Sequence, residues 1–126
     1  GYLVLGATIS LKEGNLEEIK TLTRELREKR TSKQPLEFPS AGSTFKRPEG
    51  YFAGKLIMDS GLRGCQIGGA RVSDKHCGFV INAGDATAED VVSLMKHVTE
   101  VVREKYGVTL EPEVKFLGEF DKKCDW

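Results

Sequence analysis

The stretch from Thr87 to Gly107 restricts the fold more than any other part of the chain. Thr87, with Asp90 three residues on, is a capping box that satisfies the first backbone N–H groups of a helix. Val91, Leu94, Met95, Val98, Val101 and Val102 then recur at intervals of three and four, which places them on one helical face. Gly107 follows Tyr106 and stops the helix. A helix with so broad an apolar stripe must bury it against a second layer, so the other residues have to supply that layer.

They supply it as short β-prone pieces. Cys65–Ile67, Ala70–Val72 and Gly78–Asn82 are apolar runs separated by glycine and polar residues, and Phe52–Gly61 reads as a short helix ended by Gly61. Residues 2–10 are β-prone and apolar, which predicts a buried strand. Residues 15–31 change period: Asn15 and Glu18 form a cap, and Leu16, Ile19, Leu22 and Leu26 a helical stripe, with Pro35 closing the helix from outside. Residues 35–51 hold three prolines and two glycines and predict a long loop, of the kind that often carries function. Glu113–Glu119 alternates and predicts a final strand, and 121–126 a mobile tail. The expectation is an α+β fold in a single domain: a small, mostly antiparallel or mixed sheet with helices packed on one face. The domain covers 1–120. The opening at Gly1, already in mid-strand and without Met, reads as a cut from a longer polypeptide, or else as a small protein trimmed at its start.

Charge narrows the function. Nineteen Lys and Arg balance nineteen Asp and Glu, whereas a generic nucleic-acid binder carries a basic surplus. No apolar run nears the roughly 20 residues needed to span a bilayer, and no signal-peptide pattern stands at the start. Cys65, Cys77 and Cys124 lack CxxC spacing, which argues for free thiols in a reducing, cytoplasmic compartment and, with two scattered histidines, against a metal site.

Two places could carry chemistry. Pro39-Ser-Ala-Gly-Ser-Thr-Phe-Lys-Arg-Pro48 combines a turn at Gly42, an exposed Ser43 hydroxyl and two cations. It reads as an anion-binding turn, a nucleophile or a proton donor; the plainer reading is a Ser/Thr turn bonded to its own backbone. Nucleophilic Ser catalysis is disfavoured because no GxSxG elbow and no adjacent base are present. Glu113 enters an apolar strand two residues before Lys115, on the same face, either partly desolvated or simply ion-paired with that lysine. Gly68-Gly69 lacks both phosphate-loop patterns and reads as a bulge or a close strand approach. His97 sits on the helix beside Val98, and His76 lies between two strand-like pieces, where it could face a ligand.

The run Lys33–Pro48 resembles the signature of the UDP-N-acetylenolpyruvoylglucosamine reductase family. The likeness continues in order through Ala53-Gly-Lys-Leu-Ile, Gly61-Leu-Arg-Gly, Ile67-Gly-Gly-Ala-Arg-Val-Ser, Lys75-His, Phe79-Val-Ile-Asn82, Ala86-Thr-Ala-Glu-Asp90 and Leu110-Glu-Pro-Glu-Val114. It corresponds to the family's C-terminal, substrate-binding domain in its shorter form, without the FAD-binding domains that precede it there.

The resemblance implies an oxidoreductase of bacterial peptidoglycan synthesis. NADPH reduces FAD, and hydride then passes to the enolpyruvyl group of UDP-N-acetylglucosamine enolpyruvate to give UDP-N-acetylmuramate. Ser43 is implied as the proton donor and Glu113 as the protonated group that stabilises the enolate-like intermediate. Glu111 matches that motif less well. Lys33 is implied near the diphosphate, with Lys46, Arg47, Lys75 and His76 as weaker substrate contacts. Lys115 stands where the family often has Arg, so a bidentate clamp does not carry over to it. The partners implied are this UDP-sugar and the protein's own N-terminal FAD-binding domains, with no nucleic acid and no membrane. A serine hydroxyl is a poor acid, but it can protonate a strongly basic carbanion-like centre at close range. The competing reading is a non-catalytic nucleotide-sugar-binding or regulatory domain of the same fold, which would have no need of Ser43 and Glu113 together.

Overall fold

The capping box forms as expected. In the computed structural model, which describes residues 2–118, the Asp90 N–H donates to Thr87 Oγ1 at 3.1 Å and the Thr87 N–H donates to Asp90 Oδ2 at 2.9 Å. The chain runs α1 (Leu16–Lys33), β1 (Ser40–Ser43), α2 (Ala53–Asp59), β2 (Gln66–Ile67), β3 (Ala70–Val72), β4 (Phe79–Asn82) and α3 (Ala88–Tyr106), and Gly107 ends α3. It divides into two units, Gly1–Ser32 and Lys33–Trp126. No helix among the described residues is long and apolar enough to cross a membrane.

The second unit is a small α+β fold. Its sheet is antiparallel throughout, in the order β1-β4-β3-β2, and α3 lies against β2 and β3 while α2 packs on α3. Leu94, Met95, Val98 and Val102 of α3 are completely buried and meet Ala70 and Val72 of the sheet and Ile57 of α2 in one cluster. Burying each large apolar side chain contributes roughly 1.5–3 kcal/mol over leaving it in water, so α3 is fixed chiefly by its stripe. Gly68-Gly69 is the β2–β3 hairpin turn, and it is also a close approach. A Cβ on Gly69 would stand 2.1 Å from the Gly84 carbonyl, so only glycine fits.

Asp90 ties that turn to the helix. Its carboxylate accepts backbone N–H groups from Thr87 and Gly69, which hold it below its ordinary 3.8. The folded state therefore favours the ionised form: the contribution is complete above the unfolded value and is lost as pH falls through the lower folded one. Asp90→Asn keeps an acceptor but removes the titration. Its melting temperature should decline less steeply than that of the parent below about pH 5. Parallel curves in thermal melts across that range would count against this clamp.

Four expectations need correction. Residues 2–10 form no strand: they are irregular and exposed, and the described sheet does not include them. Helix α1 forms, and Asn15 Oδ1 accepts the Glu17 and Glu18 N–H groups at 2.9 and 3.2 Å, but its stripe is not core. Leu16, Ile19, Leu22 and Leu26 are all more than half exposed. The loop over 35–51 contains a strand, β1, and no strand forms over 113–118, the described part of the expected last strand; the chain pairs just before it in an isolated bridge, Pro112 with Phe45. Proline lacks the N–H that a ladder uses, which limits the pairing at that point. The proposed tail 121–126, with Cys124, lies outside the described residues. Cys65 and Cys77 are both free thiols.

Candidate functional site

Gly42 aims the site. Ser40 pairs with Ile81 and Ser43 with Phe79, so β1 spends one more residue than β4 between the two pairs, and Gly42 absorbs it at φ 88°. A residue with a Cβ adopts that conformation only at a cost. The bulge presents Ser43 at the lip of a cleft while leaving Thr44 buried behind it.

Thr44 then joins three segments. Its N–H donates to the Gly78 carbonyl at 2.9 Å, its Oγ1 accepts the Val80 N–H at 2.9 Å, and its carbonyl accepts the Glu113 N–H at 2.9 Å. One buried threonine thus holds the Ser43 strand against β4 and brings Glu113 alongside. The Lys46 N–H donates to the Glu111 carbonyl at 2.8 Å and extends the same pairing. The Lys46–Glu111 ion pair at 2.9 Å adds little, since both side chains are more than half exposed.

The opposite wall is the turn between β3 and β4. Buried Ser73 accepts the Lys75 and His76 N–H groups at 3.2 and 3.3 Å, which folds the turn so that both residues face the cleft. His76 Nδ1 accepts the Gly78 N–H at 3.1 Å, which leaves Nε2 to carry the ring proton as a donor, and the ring packs edge-on against Phe79 at 5.0 Å. Lys75 Nζ lies 3.5 Å from Glu37 Oε2.

The cleft, about 460 Å³, is lined by Ser43, Glu113, Arg47, Lys75 and His76 together with Phe52, Lys55 and Arg63. Arg47, Lys55, Arg63 and Lys75 face one lining carboxylate, Glu113, in a chain whose overall charge is zero. This local surplus of positive charge suits an anionic ligand. Asp59 holds Lys55 protonated through a hydrogen bond at 2.8 Å. Arg63 donates to the Asp74 carbonyl and lies 3.0 Å from the Met58 sulfur. Cys77 lines the cleft too, but burial pushes its thiol up, so it is no thiolate nucleophile.

The structure therefore brings together Ser43, Glu113, Arg47, Lys75 and His76. It leaves Lys33 outside the cleft, as the last residue of α1, and Lys115 outside as well, beyond the Pro112 bridge. Among the described residues no ion pair joins Glu113 to Lys115, because the strand that would have set them on one face does not form. Sequence reasoning passed over Thr44, Phe52, Lys55 and Arg63. Lys55 and Arg63 stood within the quoted family motifs, and that was the available signal.

The Gly68-Gly69 turn does not fit the phosphates of FAD or NADPH. The Gly69 N–H donates to Asp90 Oδ2 at 3.3 Å, so a carboxylate already occupies the donor, and there is no space beside the backbone.

Comparison with known proteins places the chain in a family. The family model for the UDP-N-acetylenolpyruvoylglucosamine reductase C-terminal domain matches residues 34–117. A reductase of that name from Lachnoclostridium phytofermentans is 66% identical over 94% of this chain and 38% of its own length. One from Agathobacter rectalis is 63% identical over 95% of this chain, again 38% of the relative. The crystal structure of UDP-N-acetylenolpyruvylglucosamine reductase from Thermus caldophilus is similar with a TM-score of 0.65 and 38% identity, over 82% of this chain and 37% of that one. The chain thus spans well under half the length of the relatives it matches.

Proposed function

The chain belongs to the UDP-N-acetylenolpyruvoylglucosamine reductase family, as its C-terminal domain, and from this we propose that it is the substrate-binding and proton-donating part of an enzyme that reduces UDP-N-acetylglucosamine enolpyruvate to UDP-N-acetylmuramate in the bacterial cytoplasm. The observation that carries the reading is the convergence of Ser43, Glu113 and a cationic wall on one cleft.

Reduction of an enolpyruvyl double bond requires a hydride at one carbon and a proton at its neighbour. The hydride would come from a flavin reduced by NADPH, which other parts of the reductase would hold. This chain's residues act on the proton and on the charge. Ser43 gives its hydroxyl proton to the carbon beside the carboxylate, where negative charge builds up and makes even a hydroxyl a sufficient acid at short range, and water at the exposed lip returns a proton to the Ser43 oxygen. Glu113, in its protonated form, donates a hydrogen bond to the carboxylate oxygen on which that charge spreads; an anion there would repel it. Arg47, Lys75 and the His76 Nε2–H hold the anionic ligand, while Lys33, the residue proposed for the substrate's diphosphate, and Lys115, which stands where the family often has Arg, lie outside the cleft in this chain.

The test is turnover. Mixed with NADPH, FAD and UDP-N-acetylglucosamine enolpyruvate, this chain alone should consume no NADPH, whereas the full-length reductase should. NADPH consumption by the chain alone, dependent on the UDP-sugar, would overturn the division of labour.

A further inference from the structure

Arg47 differs from the other cleft cations in how it is held. Lys55 and Lys75 each face a carboxylate, and both terminal nitrogens of Arg63 are engaged by Asp74 and Met58. Arg47 has no acidic partner among the described residues. Its Nε donates to the Tyr51 carbonyl at 3.3 Å, and its guanidinium carbon sits 4.0 Å over the centre of the Phe52 ring. These two contacts use one N–H and one face of the guanidinium. They leave the Nη1/Nη2 edge, the fork that fits two oxygens of a phosphate or carboxylate.

Phe52 is itself firmly based. It is the residue before α2, and its carbonyl accepts the Lys55 and Leu56 N–H groups at 3.0 and 3.1 Å. Yet the side chain is 60% exposed, so it is not there as core. A large exposed aromatic ring whose face is covered by a guanidinium with no acidic partner among the described residues is a support for that cation.

We infer that Phe52 is a positioning residue. Its ring pre-orders Arg47 so that the Nη edge meets a paired-oxygen anion of the UDP-sugar ligand, a role that rests on the substrate-binding reading above. The gain comes from rotamer freedom that Arg47 no longer has to lose on binding, on the order of threefold to tenfold in affinity for one long side chain.

The experiment uses the full-length reductase, with KM for the enolpyruvyl substrate and Kd for UDP-N-acetylglucosamine, which carries the diphosphate but no carboxylate. Phe52→Leu keeps apolar bulk without a π face and should raise KM about threefold to tenfold with kcat little changed. Phe52→Tyr should restore the parental value, and Phe52→Leu should add nothing in an Arg47→Ala background. Weakening of both ligands assigns the clamp to phosphate, and weakening of the substrate alone assigns it to the carboxylate; either supports the inference. Parental affinity in Phe52→Leu, while Arg47→Ala binds weakly, would overturn the positioning role alone. Parental affinity in Arg47→Ala would overturn the placement of Arg47 in the substrate site itself. If Phe52→Leu does not fold, Arg47→Lys serves instead: it keeps the charge without the planar fork, and unchanged affinity in that variant would equally overturn the inference.

Discussion

Ser43→Ala in the full-length reductase should lower kcat for the UDP-sugar substrate by roughly 10²–10⁴-fold, the usual weight of a positioned proton donor, and leave flavin reduction by NADPH at the parental rate. The hydroxyl is exposed at the lip of the cleft, on the strand residue directly after the Gly42 bulge, and its removal disturbs no buried contact. Stability should therefore change by no more than about 0.5 kcal/mol, as for other surface substitutions. The two half-reactions separate the possibilities when followed by stopped-flow flavin absorbance. A donor specific to the second step predicts fast bleaching by NADPH and very slow reoxidation by the enolpyruvyl substrate. Equal slowing of both phases would show that Ser43 shapes the site as a whole, and the proton-donor assignment would fail.

Removing the Glu113 carboxyl should cost nearly as much. Glu113→Ala is expected to reduce the rate of substrate reduction by about 10²–10³-fold, comparable to loss of one preorganised donor to a developing oxyanion. Glu113→Gln, which retains a neutral N–H donor, should keep more activity than Ala, with flavin reduction unaffected in both. The backbone argues that these variants will fold. Glu113 is held through its own N–H on the Thr44 carbonyl, which neither substitution touches, and its side chain is exposed. Near-parental reduction by Glu113→Ala, with thermal stability alone diminished, would make Glu113 a structural residue.

The two flavin-independent features of the site were legible to different extents. Ser43 and Glu113 stand in motifs specific enough to single out, one beside a glycine and the other between a proline and a valine. Nothing in those motifs says that the two meet. They are seventy residues apart in the chain, and what joins them is Thr44, whose backbone and hydroxyl bond to β4 on one side and to Glu113 on the other. Lys55 and Arg63 also stand in those motifs, but nothing local marks them as facing the cleft, because an exposed cation in a helix or turn looks the same in sequence whether it faces open solvent or a ligand.

By itself the sequence determined the elements whose causes are local. The Thr87–Asp90 box, the 3.6-residue stripe and Gly107 all act within one helix, and α3 runs between them as expected; Asn15 likewise starts α1. Tertiary structure alone decided what each apolar face meets. In the stripe of α3, Leu94, Met95, Val98 and Val102 are buried and Val91 and Val101 half-buried, whereas the stripe of α1 stays more than half exposed, although the two are written in the same period. Periodicity measures how apolar residues are arranged around an axis, and it carries no information about a partner. The same limit explains the β-prone segments. Residues 2–10 and the described residues 113–118 are as strand-like in sequence as 79–82 and form no strand, whereas β4 has β1 and β3 on its two edges to accept its hydrogen bonds. Conversely, the short Ser40–Ser43 segment became a strand, despite the neighbouring Pro39 and the bulge at Gly42, because β4 offered it an open edge.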